Sequence, residues 1–113
     1  MSLTEQKCVP CEGGVMPLTI SEAQKLQAEI PEWTLAPDVR SITKSFTFKN
    51  FAEALAFTNV VGTIAEHENH HPDVSLSWGK VEISLTTHAI NGLSVNDFIL
   101  AAKIDKSLQN SVV

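Results

Sequence analysis

Along the chain, apolar positions recur with two different periods. Between residues 40 and 48 they alternate: Ile42, Phe46 and Phe48 share one parity, while Ser41, Thr43, Ser45 and Thr47 share the other. A period of two predicts a half-buried strand. Val74-Ser75-Leu76-Ser77-Trp78 and Val81-Glu82-Ile83-Ser84-Leu85-Thr86 repeat the pattern. Gly79-Lys80 between them reads as a two-residue loop with Gly first, which suits a type II′ hairpin. Glu32 to Ala36 reads as a shorter strand, turned at Pro37-Asp38. Elsewhere the spacing changes to three and four, and each such stretch opens on a capping signature. Ser21-Glu22-Ala23-Gln24 opens a short helix with Leu26 and Ile30 on one side, ended by Pro31. Asn50-Phe51-Ala52-Glu53 opens the longest, with Phe51, Leu55, Phe57, Val61 and Ile64 expected in its buried stripe. Ser94-Val95-Asn96-Asp97 opens the last, with Phe98, Ala101, Ala102 and Leu108 expected inside.

Residues 1–18 show no period and contain Pro10, Gly13, Gly14 and Pro17, so they are expected to form a flexible N-terminal arm ahead of one domain over 19–113. The element order is α-β-β-α-β-β-α. It predicts an α+β fold, a four-stranded antiparallel sheet with three helices packed on one face. The polar parity of the strands leaves the other face wet or open to another subunit.

Composition narrows the function classes. At 113 residues, 43% hydrophobic and 19% charged, the chain can build one core. Its net charge of −5 lacks the positive footprint of a nucleic-acid binder and disfavours an anionic membrane surface. The longest apolar-rich stretch, Ala54 to Ala65, is far short of a membrane span. Met1-Ser2-Leu3-Thr4-Glu5 has neither a basic start nor an apolar run, so the cytoplasm is the expected location. Cys8-Val9-Pro10-Cys11 has metal or redox spacing. No second such pair completes a zinc site, and the Glu12-Gly13-Gly14 that follows does not open a helix. The pair is expected to carry little catalytic weight.

Three of the four histidines fall in His67-Glu68-Asn69-His70-His71, ahead of Pro72, and the fourth is His88. Pro72 pushes His71 toward an extended conformation, so His70 and His71 should occupy a helix-to-strand corner that presents two imidazoles to one cleft. Glu66, four residues before His70, is expected to orient that ring. Single histidines at helix ends are commonly dipole partners or surface groups; adjacent imidazoles repel when charged, which favours a use for the cluster. The same run matches H-E-x-x-H, the zinc hydrolase signature, in which His67 and His71 would share one helix face with Glu68 as base. Pro72 speaks against that geometry.

Glu66, three residues, His70-His71-Pro72, five residues, Trp78, nine residues, His88, eight residues, Asp97: this spacing resembles the signature of the pterin-4a-carbinolamine dehydratases. The resemblance extends over Glu22 to Asp105 and includes Phe48-Lys49-Asn50-Phe51 and Gly92-Leu93-Ser94. Ala56-Phe57-Thr58-Asn59 and the Cys-containing arm look like the bacterial branch. The resemblance implies dehydration of 4a-hydroxytetrahydropterin (4a-hydroxytetrahydrobiopterin) to quinonoid dihydropterin, which recycles the pterin cofactor of aromatic amino acid hydroxylases. It implies catalytic positions at His70, His71 and His88, acidic positions at Glu66 and Asp97, and a pterin pocket lined by Asn69, Thr86, Thr87, His88 and Ala89 with Trp33 near it. It implies no cofactor and no metal, and a homodimer or homotetramer.

The chemistry agrees with those residue types. A proton must reach the 4a oxygen and another must leave N5; histidine is the side chain that titrates near neutrality without special tuning. His70 and His88 are therefore the candidate acid and base groups, with His71 in binding and polarisation. Asp97, third after Ser94, is also placed to cap the last helix. Trp33 and Trp78 read as core or rim residues, since indole does not titrate. His67 receives no role. Relatives on the same fold serve as a transcriptional coactivator or in carboxylase assembly, so a non-catalytic binding or assembly module is the alternative.

Overall fold

The two longest strands, β2 (Ile42–Thr47) and β4 (Lys80–Leu85), pair antiparallel with Ile42 opposite Leu85 and Phe46 opposite Val81. The computed structural model, which describes residues 2–9 and 16–111, flanks them with β1 (Thr34–Leu35) and β3 (Asp73–Ser77) in the order β1-β2-β4-β3. All pairings are antiparallel. The pleat sorts the side chains as the alternation predicts. Ile42, Phe46, Val81, Ile83 and Leu85 are buried under the helices α1 (Ile20–Gln27), α2 (Phe51–Glu68) and α3 (Val95–Ser111). Ser45, Thr47 and Glu82 face out. The fold is thus α+β, with three helices and a four-stranded antiparallel sheet in the expected order. Among the described residues, no helix is long and apolar enough to cross a membrane.

One lysine sits on the apolar parity. Lys44 lies between Ile42 and Phe46 and runs under the helices, where its Nζ donates to Asp105 Oδ1 at 2.8 Å. The Trp33 indole N–H donates to the same carboxylate at 3.1 and 3.2 Å to its two oxygens. A charge on the covered face is tolerated because its partner is built into α3.

Several local expectations shift. α1 is capped by Thr19, not Ser21: Thr19 N donates to Glu22 Oε1 at 2.8 Å and Thr19 Oγ1 accepts from Glu22 N at 3.2 Å. The same Glu22 thus completes a capping box that starts two residues earlier. Ile30 is buried but lies in the turn after α1. In α2, capped by Asn50 as expected, the inward stripe is Ala54, Phe57, Val61, Ala65 and Glu68. Phe51 and Leu55 fall on its exposed flank. Two alanines in the stripe give little hydrophobic signal in a sequence window, whereas the flanking Phe51 and Leu55 give much. The hairpin loop is Trp78-Gly79, since Ser77 pairs with Lys80. Glycine is required there by close approach: an added Cβ would lie 3.0 Å from the Phe48 carbonyl oxygen.

Residues 2–9 of the arm make specific contacts with the domain. A short 3-10 turn, Leu3–Glu5, buries Leu3 in the core cluster, and Cys8 is buried as well. Cys8 N donates to Glu68 Oε1 at 3.0 Å, and Lys103 Nζ donates to Glu68 Oε2 at 2.7 Å. Burial pushes the Glu68 carboxyl up, but the Lys103 hydrogen bond and charge and the Cys8 N–H outweigh it, and its pKa is lowered from the ordinary 4.5. A lowered folded-state pKa contributes stability above 4.5 that is lost as acid protonates the folded carboxylate. Glu68→Gln should therefore cost about 2 kcal/mol at pH 7. In urea unfolding the gap between wild type and variant should close as the pH falls below the ordinary carboxylate range. A gap of equal size at pH 7 and in acid would contradict this.

Candidate active site

Three corners of the fold converge on one cleft. The first is the end of α2, where Asn69 takes the left-handed conformation (φ 55°, ψ 40°) and its N–H bonds back to the carbonyls of Ala65 and Glu66. Asparagine tolerates that conformation better than most residues, and it ends the helix sharply. His70 and His71 therefore leave the helix axis as a corner. The second is the segment after β4. Thr87 bridges to Gly92, and between them a 3-10 turn, His88–Ile90, closes on a left-handed Asn91 whose N–H returns to the His88 carbonyl. The third is the first turn of α3.

These corners line a cleft of about 320 Å³ with Asn69, His70, His71, Thr86, Thr87, His88 and Ala89, joined by Val9 and Asn96. The three imidazoles expected to act together thus share one cavity. A larger hollow of about 560 Å³ between α2 and Leu108 has Glu53 as its single titratable side chain.

Asp97 stands behind this cleft, fully buried. Its Oδ1 lies 2.6 Å from His70 Nε2. Its Oδ2 accepts from Thr87 Oγ1 at 2.8 Å and from Ser94 N at 3.0 Å. Thr87 Oγ1 is also 2.8 Å from Ser94 Oγ. The residue is therefore both the reciprocal cap of α3 and the partner of His70. A carboxylate offers only acceptors, so in the 2.6 Å contact His70 Nε2–H is the donor; in the neutral ring that leaves the lone pair on Nδ1.

Two expectations are corrected. Glu66 pairs with His71 Nε2, not with His70. The four-residue spacing assumed a continuing helix; α2 ends at Glu68, and the left-handed Asn69 brings the fifth residue on, not the fourth, back to Glu66. Both partners of that pair are mostly exposed, so it contributes little to stability. Trp33 does not reach the cleft. It is buried beside Asp105 and lines a different hollow with Ile20, Gln24 and Gln27. It precedes β1 at the opposite side of the sheet from β3, with its ring edge-on to Phe46.

The H-E-x-x-H geometry does not form. His71 lies beyond the end of α2, so His67 and His71 do not share a helical turn, and Glu68 points inward to Lys103. Among the described residues, no group of three or more His, Cys, Asp or Glu side chains is placed to hold a metal ion. The Cys8 thiol is pushed up to about 12, first by burial and then by the Glu68 charge. At neutral pH it is a packed thiol and no nucleophile. Cys11 lies outside the described residues.

Two cleft residues, Val9 and Asn96, have no local signature in the sequence. They meet across most of the chain, and each is only a spacer position in the motif that contains it.

The pterin 4 alpha carbinolamine dehydratase family model matches residues 16–107. The chain belongs to that family. A Halorhodospira halophila protein named for the same dehydratase is 50% identical over 105 residues, covering 93% of this chain and 96% of its own. One from Methylococcus capsulatus is 48% identical over 105 residues, covering 93% and 92%. Among solved structures, a Brucella melitensis protein described as a transcriptional coactivator/pterin dehydratase superposes with a TM-score of 0.75 at 31% identity, over 80% of this chain and 96% of that one. A pterin dehydratase-like protein described as a RuBisCO assembly factor shares the fold, with a TM-score of 0.58 at 22% identity over 66% of this chain and 87% of its own.

Proposed function

We propose that the protein removes water from 4a-hydroxytetrahydropterin by histidine acid–base catalysis, yielding quinonoid dihydropterin in the cytoplasm and serving an aromatic amino acid hydroxylase. The observation that carries this reading is the shared cleft. His70, His71 and His88 line one cavity, and His70 Nε2 lies 2.6 Å from the buried Asp97 carboxylate.

In this reaction the C4a–O bond breaks with its electron pair on oxygen, a proton converts that oxygen to water, and loss of the N5 proton allows C4a=N5 to form. No electrons are gained or lost overall. The leaving oxygen needs an acid and N5 needs a base, and an imidazole serves either role. In the neutral ring the His70 Nε2–H faces Asp97, which leaves Nδ1 to act as the base; His88, on its short turn across the cleft, is the acid. His71, paired with Glu66, binds and polarises the ring. Asn69 gives the cleft a polar side chain for a neutral heterocycle, while the Thr87 hydroxyl is committed to Asp97 and Ser94. Asp97 is a positioning residue.

Direct assay of carbinolamine dehydration with the purified chain tests this reading: acceleration over buffer that survives chelation supports it. No acceleration, together with a protein partner recovered in stoichiometric amount, would favour the binding-module alternative to which the Brucella and RuBisCO-factor descriptions point for those proteins. The exposed Phe51 and Leu55 on α2, with Val74 and Trp78 along the β3 side, also support a homodimer or homotetramer through the long helix or an edge strand. Sedimentation at micromolar concentration should show an oligomer; a monomer would contradict it.

A further inference from the structure

We propose that residues 2–9 form a strap that completes the cleft, with Val9 as a specificity-determining contact to the apolar edge of the bound heterocycle. This rests on the dehydratase reading above. The strap lies outside residues 16–107, the part matched by the family model. It is pinned at the two elements that place His70 and its carboxylate partner Asp97. Cys8 N bonds to Glu68 at the end of α2, just before the Asn69-His70 corner. Val9 is clamped to Asn96, which is buried and immediately precedes Asp97. Val9 N donates to Asn96 Oδ1 at 3.0 Å, and Asn96 Nδ2 donates to the Val9 carbonyl at 2.5 Å. Leu3 fixes the strap's other end in the core.

Between these fixed points the Val9 side chain stays out of the core. The residue is 60% exposed although its backbone is fully engaged. It lines the cleft among imidazoles, threonines and asparagines, where Val9 and Ala89 are the apolar members. An isopropyl group held by two main-chain bonds over a polar cleft offers dispersion and desolvation to a flat ring or to an aliphatic substituent on it. A neutral bicyclic tetrahydropterin offers such a surface at its ring faces and along its saturated C6–C7 edge. Asn96 acts through Val9 and is a positioning residue.

Four full-length proteins, wild type, Val9→Ser, Val9→Ile and Asn96→Ala, test the strap by two readouts: binding of a 7,8-dihydropterin by fluorescence quenching, and dehydration kinetics. Val9→Ser should raise both Kd and KM about five- to tenfold, with kcat changed less than twofold. Val9→Ile should restore wild-type binding, and Asn96→Ala should reproduce the Val9→Ser split between KM and kcat. Equal Kd and KM in wild type and Val9→Ser would overturn the strap and leave the dehydratase reading intact. A wild-type protein that neither binds the dihydropterin nor accelerates dehydration would overturn that reading, and the strap's role with it.

Discussion

His70→Ala should lower kcat for dehydration by about 10²- to 10⁴-fold while leaving the protein folded, because a positioned acid–base group contributes on that scale. Folding should survive since Asp97 keeps its bonds to Thr87 Oγ1 and Ser94 N when the ring is gone. His88→Ala should cause a loss of the same order, and its exposed position on a short turn makes a folding defect the weaker explanation. His71→Ala should act mainly on KM, since its Nε2 is engaged with Glu66 at the cleft's exposed side. Far-ultraviolet circular dichroism with kinetics on the three variants checks this. Full activity in both the His70 and the His88 variants would overturn the acid–base assignment.

How much of this was legible in the sequence follows from which signals are local. The alternation of Ile42 and Phe46 against Ser45 and Thr47, and the Asn50 and Ser94 capping sites, are short-range and carry through to the structure. Seven expected pocket residues meet in one cleft because they occupy two contiguous stretches, 69–71, opened by the left-handed Asn69, and 86–89, followed by the left-handed Asn91. The errors arose where geometry beyond one turn decides. Helical arithmetic pairs Glu66 with His70, but the left-handed Asn69 breaks that arithmetic. Trp33 was placed near the pocket by resemblance alone, whereas the indole N–H is taken by Asp105 across the core. Ser21 has the capping spacing, but so does Thr19, and the extended backbone at Thr19 settles which one caps. The clamp between Val9 and Asn96 joins residues far apart in sequence, and no periodicity announces such a contact.

Asp97→Asn separates the two duties that meet in this side chain. In wild type the carboxylate accepts three hydrogen bonds, from His70 Nε2–H, Thr87 Oγ1 and Ser94 N. An asparagine has one acceptor oxygen and one donor amide. Its oxygen must face the Ser94 N–H, which can only donate, so the helix cap survives and the amide turns toward His70. The amide then donates to Nε2, the ring proton moves to Nδ1, and the lone pair that served N5 leaves the cleft side of the network. The expected result is a fall in kcat of about 10²- to 10⁴-fold, the scale on which a wrong tautomer or a lost acid–base group acts. KM should change little. Asp97→Ala adds the loss of the cap and takes the side-chain acceptor from the buried Ser94 N–H, while Thr87 Oγ1 keeps Ser94 Oγ, so it should also cost about 2 kcal/mol of stability. Nitrogen chemical shifts of His70, kcat and urea midpoints for the two variants read these effects apart. An Asp97→Asn protein with wild-type kcat and an unchanged His70 tautomer would show that the carboxylate caps α3 and does nothing for the imidazole.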